Sequence, residues 1–85
     1  MSPLEWVDKA RDQLADIWVA ATPAERAVMG PLVVQLESDL RDDPLAVGES
    51  SSSSRRVVIR SPLVVWFNVW PGRVRIFYVT RPRQP

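Results

Sequence analysis

The sequence predicts an α+β domain in which an N-terminal helical hairpin packs on a C-terminal antiparallel sheet of three to four strands. Three observations carry that expectation. Apolar residues recur at spacings of three and four through roughly the first forty positions. Beyond position 55, turn signals separate three short runs of β-branched and aromatic residues. A long polar connection, closed by a run of serines, divides the two regions. The 85 residues form one domain, residues 1–85, of a size that buries roughly 60–65% of the unfolded-chain surface.

The first helix is expected from about Asp8 to Ala21. Val7, Ala10, Leu14, Ile17, Trp18 and Ala21 build one apolar stripe along it. Its beginning has two readings. Ser2-Pro3-Leu4-Glu5 has the form of a capping box with proline at the first helical position, which would start the helix near Pro3. The alternative is a very short edge strand over Leu4 to Trp6. The second helix opens more sharply, with Thr22 as cap, Pro23 in the first turn and Glu25 at the reciprocal position. Its stripe reads Met29, Leu32, Val33, Leu36 and Leu40, and Asp42-Asp43-Pro44 ends it. Pro31 cannot donate to the carbonyl of Ala27, which predicts a kink or two short helices. So short a link between the helices predicts an antiparallel hairpin over about residues 8–41.

Residues 42–54 read as a mobile loop ending in five serines, Ser50 to Ser54. Strands follow over about Arg56–Arg60, Leu63–Trp70 and Arg73–Thr80, so that the sheet occupies 56–81. Pro71-Gly72 suits a type II turn between the last two.

Charge and alternation locate the working surface. The first 49 positions hold four basic against ten acidic residues, net −6, and the last 36 hold seven arginines and no acid, net +7. Such a division points to a polyanion or an acidic partner for the basic half. Period-2 alternation places Leu63, Val65, Phe67 and Val69 under the helices, with Val57, Ile59, Val74, Ile76 and Tyr78. The outer face is then expected to combine Arg56, Arg60, Arg75 and Arg81 with Trp66, Trp70 and Phe77. Arginine supplies phosphate contacts and aromatic rings supply stacking platforms, so the set suits single-stranded nucleic acid. It suits equally an acidic, hydrophobic peptide anchored by its rings.

Composition excludes much else. With no cysteine and no histidine, the chain can form no disulfide, no thiolate or imidazole metal site, and no Ser–His–Asp or Cys–His pair of its own. The longest apolar run, Leu63 to Phe67, is too short to span a bilayer, and no charged-then-apolar leader opens the chain, so a cytoplasmic protein is expected. Glu37, Asp39, Asp42 and Asp43 could gather a hard cation, but a solvated helix end is the expected reading. Tyr78 is expected to be a core residue with its hydroxyl at the rim, rather than a proton donor. No cofactor or metal is expected, and no catalytic residue can be assigned.

Taken in order, these features resemble the RelE/ParE superfamily of toxins from type II toxin–antitoxin systems. The carrying residues are Ala10, Leu14 and Ile17, then Leu40 with Asp43-Pro44, then Gly48 and Arg56. The run Pro62-Leu63-Val64-Val65-Trp66-Phe67-Asn68-Val69 follows, with Val74, Ile76 and Val79. The resemblance spans almost the whole chain and implies a short first strand near Leu4–Trp6. It also implies neutralisation by a cognate antitoxin, and as target either mRNA on the ribosome, cut as by RelE-like members, or DNA gyrase, inhibited as by ParE-like members. Against the nuclease pattern, Val64 stands where such toxins often carry arginine, the only lysine is Lys9, and Pro85 falls where a late catalytic residue would come. Arg56, Arg60 and Arg81 remain as phosphate binders under this resemblance. Replacing them together is expected to abolish toxicity with little loss of fold.

Overall fold

The computed structural model describes residues 3–82. A short strand β1 (Leu4–Trp6) leads into helix α1 (Asp8–Ala20) and then α2 (Pro23–Asp42). A 3-10 turn at Pro44–Ala46 precedes β2 (Glu49–Ser52), β3 (Arg55–Arg60), β4 (Leu63–Trp70) and β5 (Arg73–Thr80). The five strands make one mixed sheet in the order β1-β5-β4-β3-β2, with β1 parallel to β5 and every other pair antiparallel. Both helices lie on one face of it and bury its core.

The edge-strand reading of the first residues holds, and the capping-box reading does not. Leu4 and Trp6 pair with Val74 and Ile76 beneath the helices, while Glu5 opposite Arg75 points the other way. That period-2 pattern belongs to a strand, and α1 starts after Val7 with no side-chain cap. Ser2, the other half of the proposed box, lies outside the described residues. At α2 the local signal decides. The Thr22 hydroxyl accepts the Glu25 N–H at 3.1 Å and the Glu25 carboxylate accepts the Thr22 N–H at 2.8 Å, a complete capping box. Helix α2 runs through Pro31 as a single element, which removes the two-helix alternative. The last turn of α1 holds no basic residue of its own, and of its end carbonyls that of Trp18 accepts the Ala21 N–H at 3.2 Å. Arg26 of α2 supplies further donors, reaching the carbonyls of Trp18 at 2.8 Å and Val19 at 3.1 Å.

The expected loop over 42–54 is a correction. Its serines extend the sheet, Glu49 and Ser50 pairing with Val57 and Arg56 and Ser52 pairing with Arg55. Polar residues suit this place because β2 is an edge strand exposed on both faces. A core of Met29, Leu36 and Leu40 from α2 meets Leu63, Val65 and Phe67 of β4 with Val74, Ile76 and Val79 of β5. Among the described residues, no helix is long and apolar enough to cross a membrane.

Candidate functional site

Register decides which side chains share the open face of the sheet, and it departs from simple alternation twice. In β3, Arg56, Val58 and Arg60 stand opposite Phe67, Val65 and Leu63, so they face the helices. The expectation that Val57 and Ile59 point inward is therefore wrong, and Ile59 is 72% exposed. Three consecutive β-branched residues make either parity apolar, so the sequence pattern could not choose. Polar satisfaction at the sheet margin chose instead. Arg56 donates to the carbonyls of Leu45, Val47 and Gly48 at 3.1, 3.1 and 3.0 Å, which pins the chain leading into β2. Arg60 pairs with Asp39 of α2 at 2.8 Å.

The second departure is a β-bulge. Trp66 pairs with Tyr78 whereas Phe67 pairs with Ile76, which leaves Phe77 as the additional residue. Beyond it the faces of β5 exchange. Val79 is buried, Arg81 turns to the helix side and pairs with Glu25, and Tyr78 lies on the open face with 39% of its surface exposed. The expected core tyrosine is thus a surface residue. β1 is too short to cover β5 at this point, and the Gln13 side chain accepts the Val79 N–H at 2.8 Å instead.

Of the residues expected to share one binding face, Trp66, Trp70, Arg75 and Phe77 do so. Arg56, Arg60 and Arg81 lie across the sheet with their guanidiniums engaged in holding the fold, so their joint replacement would damage it. The bulge and the register bring in others: Arg55, Arg73, Tyr78 and Glu5. Arg55 lies 5.4 Å from the Phe77 ring centre, and Arg73 and Arg75 lie 4.9 and 5.5 Å from that of Trp70. The partner of each outward residue was legible once β4 was fixed, since Arg55 opposes Asn68 and Arg73 opposes Trp70.

Two acids lie on this face among the described residues, Glu5 and, opposite the outward Val57, Glu49, against Arg55, Arg73 and Arg75, a net of +1. One carboxylate oxygen of Glu5 accepts from both Arg75, at 2.9 Å, and Arg73, at 3.2 Å. These bonds, that of Arg75 foremost, hold its carboxyl below the ordinary glutamate range. Asp39 is lowered likewise by Gln35 and then Arg60. A carboxyl so depressed adds stability that is complete above the ordinary value of about 4.3 and is lost as pH falls through its folded value. Glu5→Gln should therefore unfold more readily than the parent near neutral pH, with the difference closing in acid below about pH 4. Parallel urea-midpoint curves from pH 7 to pH 3 would remove this role for Glu5.

The sign division of the sequence is partly an internal device. Arg60, Arg73, Arg75 and Arg81 each meet a carboxylate of the N-terminal half. In the acidic cluster, Glu37 accepts the Trp6 indole N–H at 2.9 Å and Asp39 is taken by Arg60 and Gln35. No group of three or more potential metal ligands converges among the described residues. What remains open to a partner is a ladder of guanidinium planes and rings, able to stack on flat groups and to bind anions.

No protein-family model matches the chain, and no curated protein sequence matches it. Among solved structures it is similar to a chain of the chromosomal ParDE TA system from P. aeruginosa, at 23% identity over 98% of each chain, with a TM-score of 0.70. The fold of β1, the helical hairpin and the sheet is thus shared over both chains from end to end.

Proposed function

We propose that this chain is the toxin component of a type II toxin–antitoxin system of the RelE/ParE kind, which acts by binding and is held inactive by a cognate antitoxin. The observation that carries the reading is the end-to-end likeness to a chain of the ParDE system, together with an open sheet face built of Arg55, Trp66, Trp70, Arg73, Arg75 and Phe77. Binding rather than catalysis is favoured because no histidine or cysteine exists to move protons or attack. Gyrase inhibition of the ParE type fits that chemistry. The second reading is cleavage of mRNA, and Tyr78 favours it. The bulge sets this phenol on the basic face beside Trp66, where it could serve as an acid while arginine stabilises charge.

Induced expression in a bacterial host tests the proposal, with growth, transcript integrity and plasmid supercoiling followed together. Arrest with intact transcripts and altered supercoiling is the expected result. Arrest with cut transcripts would replace it by the second reading, and unimpeded growth would remove both. The paired change Arg55→Glu and Arg73→Glu should relieve arrest while leaving the circular dichroism spectrum intact, since both side chains are exposed. Continued arrest by that variant would move the working surface elsewhere.

A further inference from the structure

The open face of the sheet changes character along its strands. At one end Trp70 stands opposite Arg73, and the next cross-strand row holds Arg55, Asn68, Arg75 and Glu5. Glu49, Val57, Trp66 and Tyr78 follow, and the last row is Ile59, Val64 and Thr80, with no charge in it. There Ile59 is 72% exposed. Beside it lies a recess of about 640 Å³ lined by Ile59, Pro62, Leu63, Val64 and Pro82, and Arg81, the single charge on its wall, is already paired with Glu25. A solvated face of an antiparallel sheet carries polar residues at its outward positions. Val57, Ile59 and Val64 depart from that rule at one end of the face, where the helices on the other side cannot use them.

We infer that this face receives an amphipathic, acidic helix of a protein partner, its apolar stripe over Val57, Ile59, Val64 and Trp66 and its carboxylates at Arg55 and Arg75. The inference rests on the reading of the open face as the working surface and names what occupies it. Two observations choose that occupant. The first is that the basic end already binds a carboxylate. Arg73 and Arg75 converge on one oxygen of Glu5. Two guanidiniums that share one carboxylate keep a positive charge between them, and Arg55 has no ion pair among the described residues. The second is the uncharged end. A nucleic acid strand needs cations along its track, and Ile59, Val64 and Thr80 supply none, whereas apolar side chains gain by burial against them. A helix suits the place better than an extended segment. The face of a sheet, unlike its edge, has no backbone donors or acceptors to share, and a helix satisfies its own. Ile59 and Arg55 lie roughly 13 Å apart along β3, a distance that about nine residues of helix cover. The partner's apolar stripe should therefore run for some two turns and end in acids.

Selection on the purified full chain from a phage library of random peptides of about 16 residues, long enough to form a helix, tests the inference. The expected winners carry apolar residues at helical spacing with Asp or Glu clustered at one end. Fluorescence anisotropy of a labelled winner should show binding that Ile59→Asp and Arg55→Glu each weaken by at least about tenfold, with unchanged circular dichroism spectra. Glu5→Gln, which leaves Arg73 and Arg75 without their carboxylate, should tighten it. Should Ile59→Asp fail to fold, Ile59→Thr keeps the β-branched shape and should weaken binding in the same direction. Selection of no peptide would overturn the inference, as would winners without acids or a peptide indifferent to the change at Ile59. Oligouridylate that binds more tightly than the winning peptide and displaces it would also overturn it, and would give the face to nucleic acid. Growth arrest relieved by the Arg55 and Arg73 changes, with no peptide selected, would remove this inference and leave the functional proposal standing. A selected acidic helix in a chain that permits growth would do the reverse.

Discussion

Phe67→Ala is expected to leave this domain at the edge of unfolding. Phe67 is completely buried at the middle of β4, between the helices and the strand neighbours Arg56 and Ile76. Removing a buried aromatic ring costs about 3–5 kcal/mol, transfer and cavity together. A chain of 85 residues has in total about 4–13 kcal/mol to lose, at the usual increment per residue. The thermal midpoint followed by circular dichroism should fall by roughly 20 °C, since each kcal/mol moves a domain of this size by about 4–8 °C. Phe67→Leu keeps most of the volume and should cost about 1.5 kcal/mol or less. Equal midpoints for the two variants would mean that the core closes over the cavity and that Phe67 is not its centre.

Gly48→Ala carries the second large effect, by a different physical route. Gly48 has φ of 66°, and a Cβ there would lie 2.2 Å from the carbonyl oxygen of Val57 and 2.9 Å from its carbon. Those atoms are backbone of β3, so the obstruction cannot swing aside as a side chain would. The carbonyl of Gly48 is also one of the three that Arg56 holds, so displacement of the loop undoes that clamp. Gly72 is the control. Its φ is 73°, but nothing lies within 4 Å of a Cβ built there. Gly72→Ala should cost only the left-handed backbone strain, about 1 kcal/mol, and Gly48→Ala at least about 3 kcal/mol. Urea unfolding of the pair separates strain from steric conflict, and similar midpoints would show that β3 yields at Val57.

The elements that sequence reading located well are those specified by neighbours in the chain. Thr22, Pro23 and Glu25 define the start of α2 by their own hydrogen bonds, and Pro71-Gly72 sets the turn that brackets β4 and β5 at their observed limits. Interpretation failed where a distant partner makes the decision. The inward parity of β3 depends on Arg56 finding carbonyls near Val47 and Arg60 finding Asp39, and neither contact is written in the local alternation. The bulge at Phe77 is equally silent, because both parities of β5 offer apolar side chains. That one additional residue moved Tyr78 out and Arg81 in, and so split the expected site between two faces. The serine run failed for a simpler reason: low strand propensity was outweighed by the free edge that β3 presents.

The pairing of β1 with β5 joins residues about as far apart as this chain permits, the Glu5–Arg75 contact spanning 70 positions. A strand so placed cannot find its neighbour until β5 itself has left the ribosome. During synthesis the hairpin can form early from local contacts, but Leu4 and Trp6 wait in solvent for Val74 and Ile76 to be made. Closure of that long loop is the slow, late step, and it completes the open face in the same event, because Glu5 arrives with β1. The nascent chain therefore carries an unfinished sheet until β5 is made, and acquires its arginine–tryptophan surface in final form only after that strand has emerged.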